Sequence, residues 1–420
     1  MIGETARASA PGPSRGGRAR GRVLVVAPQP FYSERGTPIA VRYVVEALSQ
    51  LGFEVDILTL PLGTPVEIPG VRLVRIANPL RIRSVPIGLS TSKLVFAAVM
   101  FASLAVRLRR SQYVCVHAVE EGALLALMAG GRCQPPLIYD MPSSLPEQLA
   151  QTAIFRPAPV QACLRRIEAY VLRRASVVMC STGLAAHVRA LVPEARAREW
   201  RFPAAAPAIA PGKVAELRQQ LEIAPDAPVV LYTGNFAGYQ GIELMLAAIP
   251  EVARQIPEAA FVLVGAADQR EVERAQLCLA ADVRPRVRCI LRQPRERIDA
   301  FVKMATVLVS PRSYGGNFPL KVFDYLAAGK PIVATDVPTH RAVLDDRLAL
   351  LVEPSGSALA EGIARVLTDR ELAAALASAA AGFAKRELSW TRFVDLIDQL
   401  YVEALDPRPA PAVTGWARHV

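Results

Sequence analysis

Short runs of β-branched and aliphatic residues alternate with helical segments along most of the chain, and this alternation constrains the fold more than any other feature. The first series of predicted strands begins at Val23 and ends at Ser181, and the second begins at Val229 and ends at Glu353. Short apolar strands bounded by turn residues and separated by helices are typical of a parallel sheet covered on both faces. The sequence therefore predicts two doubly wound α/β domains.

The segment 202–212 separates the two series. It contains three prolines after Phe202 and ends in Gly212, a composition typical of an interdomain linker. Because ligands of doubly wound sheets gather at the carboxyl ends of the strands, we expect the active site in a cleft that the two domains face. The expected segments are a disordered basic tail over 1–21, Rossmann-like domains over 22–205 and 206–388, a helix over 389–405 that returns to the N-terminal domain, and a disordered tail over 406–420.

Composition excludes several classes of protein. Of the 420 residues, 52% are hydrophobic and 21% are charged, which suits a large core and excludes wholesale disorder. The longest apolar run, 94–106, is shorter than the roughly 20 residues of a spanning helix, which disfavours an integral membrane protein. The six cysteines form no Cys-x-x-Cys pair. This spacing favours reduced, buried thiols in a cytoplasmic protein.

Positive charge is concentrated in the front half of the chain. Residues 23–205 contain 20 basic and 12 acidic residues, whereas residues 206–420 contain 24 and 25. The imbalance favours an anionic partner such as a membrane surface. The alternative is a solvated surface rich in arginine, because 43 of the 49 basic residues are arginine. No nucleic acid is expected, since the basic residues lack the interleaved aromatic side chains that stack on bases.

The segment 93–110 is apolar with basic residues at both ends. Such a helix either lies in the interface of an anionic bilayer or simply covers the sheet as a core helix. On the first interpretation the protein is cytoplasmic and peripheral on the inner face of the membrane.

The loop after the first strand leads to Gly36, Thr37 and Pro38. Proline suits the first turn of a helix, so Thr37 is the expected N-cap. Gly36 would let a phosphate approach the free N–H groups of that helix. The alternative is that the glycine serves only the turn.

His117 and Asp140 are each expected at the end of a strand. His117 ends the predicted strand 113–118, which makes it a candidate for substrate contact. A structural imidazole is the alternative. Asp140 is close to the end of the strand 137–141, and it either faces the cleft or caps the following helix.

The segment 311–336 contains a strand, a Gly315-Gly316 loop, a short helix and a second strand. Bare amides at a helix N-terminus bind phosphate, so this loop is a candidate for a diphosphate. Lys321 and Asp324 are three residues apart and share one helix face, where they suit a phosphate and a ribose hydroxyl. The alternative is a surface salt bridge between the two side chains.

These motifs resemble glycosyltransferase family 4, which has the GT-B fold. The likeness spans most of residues 22–405. It is carried by the segments 311–336, 231–241 and 23–60, and its most specific part is the block from Pro319 to Asp336. It implies transfer of a sugar, with retention of configuration, from a UDP- or GDP-sugar held by the C-terminal domain. The acceptor, held by the N-terminal domain, would be a lipid-linked glycan, a polysaccharide or a small molecule. The resemblance implies a nucleotide-sugar co-substrate, no tightly bound cofactor and no metal.

The resemblance also assigns site residues. The front-face reaction that it implies needs no side-chain base, because the departing phosphate oxygen takes the acceptor proton, and His117 would orient the donor. The cations expected near the leaving group are Lys321 and Arg312. The expected donor contacts, beyond Gly36 and Thr37, are Gly234, Asn235, Gln240, Gly315, Gly316, Asn317, Phe318 and Asp324, with the base read by backbone near Leu291 and Arg292.

The sequence departs from the family pattern at four of these positions. Gly316 replaces the first glutamate of the family's pair, and Asp324 replaces the second. Asn235 and Gln240 stand where an arginine and a lysine are usual. Because leaving-group charge must be neutralised, these losses leave open a catalytically weakened GT-B protein that binds nucleotides or glycans or supports a partner. An epimerase of this architecture would need more acid–base residues.

Overall fold

The computed structural model describes residues 20–33, 36–83, 91–131, 134–150, 152–314 and 319–406. The expected tails are described only at Arg20, Gly21 and Asp406. The expected ligand contacts Gly315, Gly316, Asn317 and Phe318 lie outside the described residues. The chain divides into two compact units: unit 1 contains the residues up to Trp200 and those from Val394, and unit 2 is Arg201–Phe393.

Unit 1 contains a seven-stranded sheet in which all paired strands are parallel, in the order β3-β2-β1-β4-β5-β6-β7. Its strands are β1 (Arg22–Ala27), β2 (Glu54–Thr59), β3 (Val71–Arg75), β4 (Cys115–Val119), β5 (Leu137–Met141), β6 (Val177–Ser181) and β7 (Ala197–Trp200). Its helices are α1 (Gly36–Gln50), α2 (Thr91–Arg110), α3 (Gly122–Gly130), α4 (Leu145–Leu149), α5 (Ala158–Arg174) and α6 (Leu184–Leu191).

Strand β7 was not predicted from the sequence. Its central residues Arg198 and Glu199 are exposed, whereas Ala197 and Trp200 are buried. The sequence therefore lacks the continuous apolar run that identified the inner strands, as is usual for an edge strand.

Unit 2 contains a six-stranded parallel sheet in the order β10-β9-β8-β11-β12-β13. Its strands are β8 (Val229–Thr233), β9 (Ala260–Ala266), β10 (Val287–Leu291), β11 (Val307–Ser310), β12 (Ile332–Thr335) and β13 (Leu350–Val352). Its helices are α7 (Lys213–Gln220), α8 (Ile242–Gln255), α9 (Gln269–Leu277), α10 (Arg295–Met304), α11 (Lys321–Ala328), α12 (Pro338–Arg341), α13 (Gly356–Thr368) and α14 (Arg370–Glu387). A final helix, α15 (Trp390–Leu405), carries the chain back into unit 1.

The sequence pattern predicts one helical segment over 355–385, whereas the structure has two helices there, α13 and α14. Asp369 ends α13 and caps α14, since its side chain accepts a hydrogen bond of 2.9 Å from the Leu372 N–H. An aspartate at an N-cap accepts a hydrogen bond from a backbone N–H of the first turn, which has no partner within the helix. Both helices contain runs of alanine and leucine, which concealed this break in the sequence.

The two sheets share one topological feature that locates a ligand site. In unit 1, β1 lies between β2 and β4, and in unit 2, β8 lies between β9 and β11. The strand order therefore reverses direction at β1 and at β8. In open parallel sheets ligands bind outside the carboxyl ends of the strands at this reversal. The loops after β1, β4, β8 and β11 are therefore the segments where ligand contacts are expected.

The expectation that the cysteines are buried holds only in part. Cys115 and Cys180 are buried, but Cys163 and Cys278 are exposed. Burial raises the pKa of the Cys115 thiol to about 12. Cys163 lies on α5 and Cys278 directly follows α9. A helix that covers a sheet buries one face and exposes the other, and these two thiols are on the exposed side.

Candidate functional site

The carboxyl ends of β8 and β11 are joined to α11 by direct contacts. The Tyr325 hydroxyl of α11 hydrogen-bonds the Thr233 N–H and hydroxyl at the end of β8, each at 2.9 Å. The Ser313 hydroxyl, after β11, donates a hydrogen bond of 3.0 Å to the Gly238 carbonyl. The loop after β8, residues 311–314 after β11 and helix α11 therefore form one local structure, which we call the unit 2 site.

Gly241 is required where the loop after β8 enters α8. Its φ is +75°, and a Cβ atom built on it would lie 1.7 Å from the Pro311 carbonyl oxygen. No side chain fits at that distance, and the left-handed backbone also favours glycine. The glycine therefore lets the loop after β8 pack directly on the loop after β11.

Lys321 lies in the interior of the unit 2 site rather than on the surface. Its Nζ atom is buried, lies 4.1 Å from the centroid of the Tyr232 ring, and has no hydrogen-bond partner among the described residues. Burial, together with the nearby Arg312 guanidinium, holds the pKa of Lys321 well below its usual value. This position excludes the surface salt bridge with Asp324.

The guanidinium of Arg312 is the second cation of the unit 2 site. The residue is 3% exposed, its Nε donates a hydrogen bond of 3.0 Å to the Tyr314 carbonyl, and its Cζ lies 5.2 Å from the centroid of the Tyr239 ring. Burial lowers its pKa. In the described part of the chain neither Arg312 nor Lys321 pairs with a carboxylate.

The other expected residues of the β8 loop have distinct positions. Gly234 lies beside Lys321, since a Cβ atom built on it would be 3.2 Å from the lysine Nζ. Asn235 stabilises the loop: its amide donates to the Tyr239 hydroxyl at 3.3 Å, and its side-chain oxygen accepts from the Ala237 N–H at 3.2 Å. The Oε1 atom of Gln240 is buried and unpartnered in the described structure. Gln240 is thus available to a donor group.

Asp324 does not share the surroundings of Lys321, although the two are three residues apart. Its carboxylate forms a two-point pair with the Arg295 guanidinium of α10, in which one contact measures 2.7 Å. The expectation that Lys321 and Asp324 act on one face therefore needs correction, because Asp324 turns towards α10. The segment 311–336, which contains Asp324, gives no indication of this partner, because Arg295 lies outside it.

Leu291 and Arg292 lie at the end of β10, two strands from β8. The Arg292 N–H donates a hydrogen bond of 2.9 Å to the Ala266 carbonyl, and the Leu291 carbonyl accepts one of 3.0 Å from the Gln293 side chain. Both backbone groups named for reading the base already have partners, so base recognition at this segment stays a prediction.

At the unit 1 sheet reversal, Gly36 and Thr37 lie in the first turn of α1. The helix begins at Gly36, so Thr37 is not its N-cap as expected. Instead the Thr37 hydroxyl donates a hydrogen bond of 3.3 Å to the Glu120 carboxylate. A carboxylate near a helix N-terminus interacts favourably with the helix dipole.

Glu120 is the residue of this site that sequence reasoning missed. It directly follows β4, has a φ of +50°, and accepts a second hydrogen bond of 2.9 Å from the Gln29 side chain. Burial and the neighbouring Glu121 charge raise its pKa to about 7. Strained backbone and a shifted pKa at a strand's carboxyl end are typical of functional residues. The available signal was an acid placed directly after a strand.

His117 lies in the middle of β4 and not at its carboxyl end, so the expected position is wrong. It is 1% exposed, its Nδ1 lies 3.1 Å from the Tyr401 hydroxyl of α15, and its Nε2 lies 3.7 Å from an Asp140 carboxylate oxygen. The observed strand is Cys115–Val119, so it starts two residues later and ends one residue later than predicted. His117 is therefore buried between Tyr401 on one side of its ring and Asp140 on the other.

No metal centre is found in the part of the chain that the structure describes, where no three His, Cys, Asp or Glu side chains are grouped closely enough to hold an ion.

Two family models match the chain. "Glycosyl transferases group 1" matches residues 213–383, and "Glycosyl transferase 4-like domain" matches residues 35–183. The D-inositol 3-phosphate glycosyltransferase of Nocardia farcinica is 29% identical over 46% of this chain, and the alignment spans 45% of that protein, less than half its length. The phosphatidyl-myo-inositol mannosyltransferase of Mycolicibacterium smegmatis is 22% identical over 84% of this chain and 86% of its own.

Among solved structures, the sucrose-phosphate synthase of Thermosynechococcus elongatus superposes with a TM-score of 0.75 at 22% identity. The superposition covers 91% of this chain and 99% of that one. This likeness and the two parallel sheets confirm the predicted GT-B fold. Together with the two family matches, they show that the chain belongs to the family 4-like glycosyltransferases of the GT-B fold.

Proposed function

We propose that the protein transfers a sugar from a nucleotide-diphosphate sugar to a hydroxyl acceptor, with retention of configuration. The observation that carries this proposal is the pair of buried cationic side chains in the unit 2 site, Lys321 beside Gly234 and Arg312 beside Tyr239, neither of which has a carboxylate partner among the described residues. A buried ammonium without a counterion is costly. A diphosphate supplies the missing negative charge.

These cations compensate for the two that the family pattern has lost at Asn235 and Gln240. Lys321 and Arg312 start from α11 and from the loop after β11, yet both reach the aromatic side chains beside the β8 loop. We therefore assign neutralisation of the leaving diphosphate to them. Charge that develops on a leaving group in a buried site is stabilised far more strongly than in water.

The transfer step follows from this assignment. The bond between the sugar C1 and the diphosphate oxygen breaks, and the acceptor oxygen bonds to C1 on the same face. The acceptor proton passes to the departing phosphate oxygen, so that the products are a glycoside and a nucleoside diphosphate. Lys321 and Arg312 hold the negative charge of that oxygen, and no side-chain base is required.

Binding of nucleoside diphosphates, followed by a donor panel read by mass spectrometry, tests this function. Lys321→Met is expected to weaken UDP or GDP binding by at least about tenfold, because a charge-assisted hydrogen bond contributes roughly 1.5–3 kcal/mol. Lys385→Met, which removes an exposed lysine near the end of α14, is the matched control. Equal affinity for wild type and Lys321→Met would exclude the assigned donor site. Binding without any sugar transfer would instead favour the non-catalytic alternative.

That alternative rests on one specific observation, the pairing of Asp324 with Arg295. A carboxylate already paired is less available to ribose hydroxyls. The alternative function is a nucleotide- or glycan-binding module that supports a partner enzyme, and it predicts binding without turnover for every donor in the panel.

For the acceptor side, we assign Glu120 to a hydroxyl of the acceptor. Its carboxylate lies at the unit 1 sheet reversal and accepts hydrogen bonds from Gln29 and Thr37. A carboxylate with remaining lone pairs binds a sugar or inositol hydroxyl as a hydrogen-bond acceptor. The mannosyltransferase relative is named for a phosphatidylinositol acceptor, which supports an acceptor carried by a lipid.

Helix α2 supports a lipid-borne acceptor independently. It has a mean hydropathy of 1.6 over an 18-residue window, long and apolar enough to span a membrane by length and composition, yet only 22% of that window is buried. Phe96, Met100, Leu104 and Leu108 form its buried stripe. Leu94, Phe101 and Val106 are 64%, 36% and 48% exposed on the other side.

We propose that this exposed face of α2 docks on an anionic bilayer. Lys93 in the first turn and three arginines in the last turn flank the apolar stripe. Apolar side chains between basic ends match an interfacial helix, in which the cations meet lipid phosphates. The protein would then act as a peripheral enzyme on the cytoplasmic face of a membrane.

Co-sedimentation with vesicles tests the docking. Binding should require phosphatidylglycerol or another anionic lipid, fall with salt, and be lost in the Leu94→Gln/Phe101→Gln/Val106→Gln variant. Ile154→Gln/Leu277→Gln removes two apolar residues elsewhere that are even more exposed, at 72% and 74%, and should bind as wild type. Binding that ignores anionic lipid and salt would contradict the proposal.

A further inference from the structure

An open pocket, which we call the amino-edge cavity, lies in unit 2 at the edge of the sheet opposite to the unit 2 site. Its volume is 490 Å³, and it is lined by residues 304–306, directly before β11, and by residues 329–331, directly before β12. The unit 2 site lies after the carboxyl ends of the same sheet. The amino-edge cavity is therefore separate from it.

Three cations line the amino-edge cavity: Arg218 of α7, Lys303 of α10 and Lys330 after α11. No aspartate or glutamate is among its lining residues. Neither lysine forms an ion pair in the described parts of the chain. The cavity thus gathers positive charge without a compensating acid.

Arg218 is held in place by backbone carbonyls. One guanidinium nitrogen donates hydrogen bonds of 2.8 and 3.1 Å to the carbonyls of Ala224 and Ala227, and another reaches the Met304 carbonyl at 3.5 Å. Carbonyls fix its orientation but leave its full charge uncompensated. Burial, together with the charges of Lys303 and Arg218, lowers the pKa of Lys330. An anion in the cavity would relieve this repulsion.

Apart from Thr306, the rest of the lining is apolar or glycine. Ala373, Ala374 and Ala377 of α14 form one wall, and no aromatic residue lines the cavity. Nucleotide bases are usually held by stacking or by apolar slots that aromatic residues provide. A wall of alanines beside three cations suits a compact phosphorylated molecule better than a nucleotide.

We propose that the amino-edge cavity binds the phosphate group of a small phosphorylated metabolite of the size of a sugar phosphate. Lys303 and Lys330 contact the phosphate oxygens, Arg218 adds a fixed positive charge, and the alanine wall packs against the remainder of the molecule. The volume lies within the range of about 300–1,000 Å³ that small-molecule sites occupy. This site is independent of the proposed transfer reaction.

The cavity also touches the helix that carries Lys321. Gly329 ends α11 with a φ of +60° and lines the cavity, whereas Lys321 begins the same helix at the unit 2 site. A phosphate bound at one end of this eight-residue helix and a diphosphate bound at the other would therefore contact the same rigid element.

Calorimetric titration of the full chain with inorganic phosphate and with glucose 6-phosphate tests the site, with glucose as the uncharged control. Wild type and Lys321→Met should both show saturable binding of at least one phosphate compound. Lys303→Gln/Lys330→Gln should weaken it by about tenfold or more, which corresponds to roughly 1.4 kcal/mol. Lys385→Gln/Arg386→Gln, which removes two cations from the exposed end of α14, should leave it unchanged.

The two ligands distinguish free phosphate from a phosphorylated sugar, because only the sugar uses the alanine wall. Thermal melting of each variant checks that it is folded. The proposal is overturned if neither phosphate compound binds, if both double variants weaken binding equally, or if binding is lost in Lys321→Met and kept in Lys303→Gln/Lys330→Gln. The last result would place the anion at the donor site.

Discussion

The Nζ atom of Lys321 lies 4.1 Å from the centroid of the Tyr232 ring, and the Tyr232 hydroxyl donates a hydrogen bond of 2.6 Å to the Asn235 carbonyl. The ring is therefore fixed by the loop whose usual cations are missing, and its face supports the cation that comes from α11. A cation–π contact contributes about 2 kcal/mol when desolvated, less than the several kcal/mol that burying an ammonium costs. The described residues therefore leave the Lys321 Nζ atom without a hydrogen-bond partner, as the proposed binding of an anion requires.

Gly241→Ala is expected to prevent the unit 2 site from forming. The added Cβ would lie 1.7 Å from the Pro311 carbonyl oxygen, so the two loops must separate. We expect a loss of stability of about 3 kcal/mol or more, together with loss of nucleotide binding. Gly52→Ala is the matched control, because Gly52 has a φ of +84° but no atom within 4 Å of the added Cβ.

Urea unfolding of the two glycine variants provides the measurement. Gly52→Ala should cost only the strain of left-handed backbone, roughly 1–2 kcal/mol. Similar unfolding midpoints for the two variants would mean that the close approach at Pro311 is not what requires Gly241.

Asp324→Asn separates recognition of ribose from recognition of phosphate. If Asp324 serves the ribose despite its Arg295 partner, the variant should weaken UDP or GDP binding by about tenfold and leave inorganic pyrophosphate binding unchanged. Lys321→Met should weaken both ligands. Equal UDP affinity for wild type and Asp324→Asn in a competition assay would remove Asp324 from the donor site.

Glu120→Gln is expected to stabilise the protein at pH 8 while weakening acceptor binding. Burial raises the pKa of Glu120 from 4.5 to about 7, so the folded state prefers the protonated acid. Stability is therefore lost as pH rises from 4.5 to 7, and the glutamine variant escapes that loss, a gain of about 2 kcal/mol after allowance for solvent screening.

Thermal melts of Glu120→Gln and wild type at pH 4.5 and pH 8 check this sign. Glu67→Gln, which removes an exposed acid of unit 1 away from Glu120, is the control. A melting difference that does not grow with pH would contradict the raised pKa, and an unchanged acceptor KM would remove Glu120 from acceptor binding.

His340 makes the fold sensitive to acid. Its ring is fully buried, hydrogen-bonds Ser310 at 2.9 Å and the Thr335 carbonyl at 2.7 Å, and has its pKa lowered by burial to about 4. The unfolded chain takes up the proton first, so this stabilisation is present above pH 6.5 and is lost as pH falls towards 4. Its full size is about 3 kcal/mol.

Chemical unfolding of wild type and His340→Gln between pH 7 and pH 4 measures this contribution. The variant should be less stable at pH 7, because it loses buried hydrogen bonds, and the difference should shrink as the pH falls. A difference that stays constant over this range would mean that His340 does not titrate as proposed.

The fold was predictable because it follows from apolar periodicity. The inner strands of both sheets are buried on both faces, so each appears in the sequence as a short and largely apolar run, interrupted in β2, β4 and β5 by Asp56, His117 and Asp140. Strand β7 was missed because Arg198 and Glu199 face solvent at an edge. The boundary between α13 and α14 was missed because a single capping residue, Asp369, makes it.

The site was predictable only in part, because motifs identify residues but not their partners. The motif predicts that Lys321 and Arg312 belong to one site, and both are buried in the unit 2 site, although their role there stays a prediction. The pairing of Asp324 with Arg295, in contrast, depends on a residue 29 positions away. His117 was placed wrongly because strand ends shift by one or two residues, which here moves a side chain from the edge of the sheet to its interior. Glu120 could not be selected from the sequence, because what distinguishes it is its contacts with Thr37 of α1 and with Gln29 of the loop after β1.

The central claim is that the buried amine of Lys321 supplies the positive charge that binds a diphosphate. Proton uptake on nucleotide binding tests this claim most directly. The pKa of Lys321 is held well below 10.5 by burial and Arg312, and a bound diphosphate would raise it again. Titration of UDP or GDP at several pH values between about 7 and 10, in buffers of different ionisation enthalpy, should show net proton uptake by wild type in part of this range and none by Lys321→Met. Equal proton uptake by the two proteins, or none by either, would contradict the account.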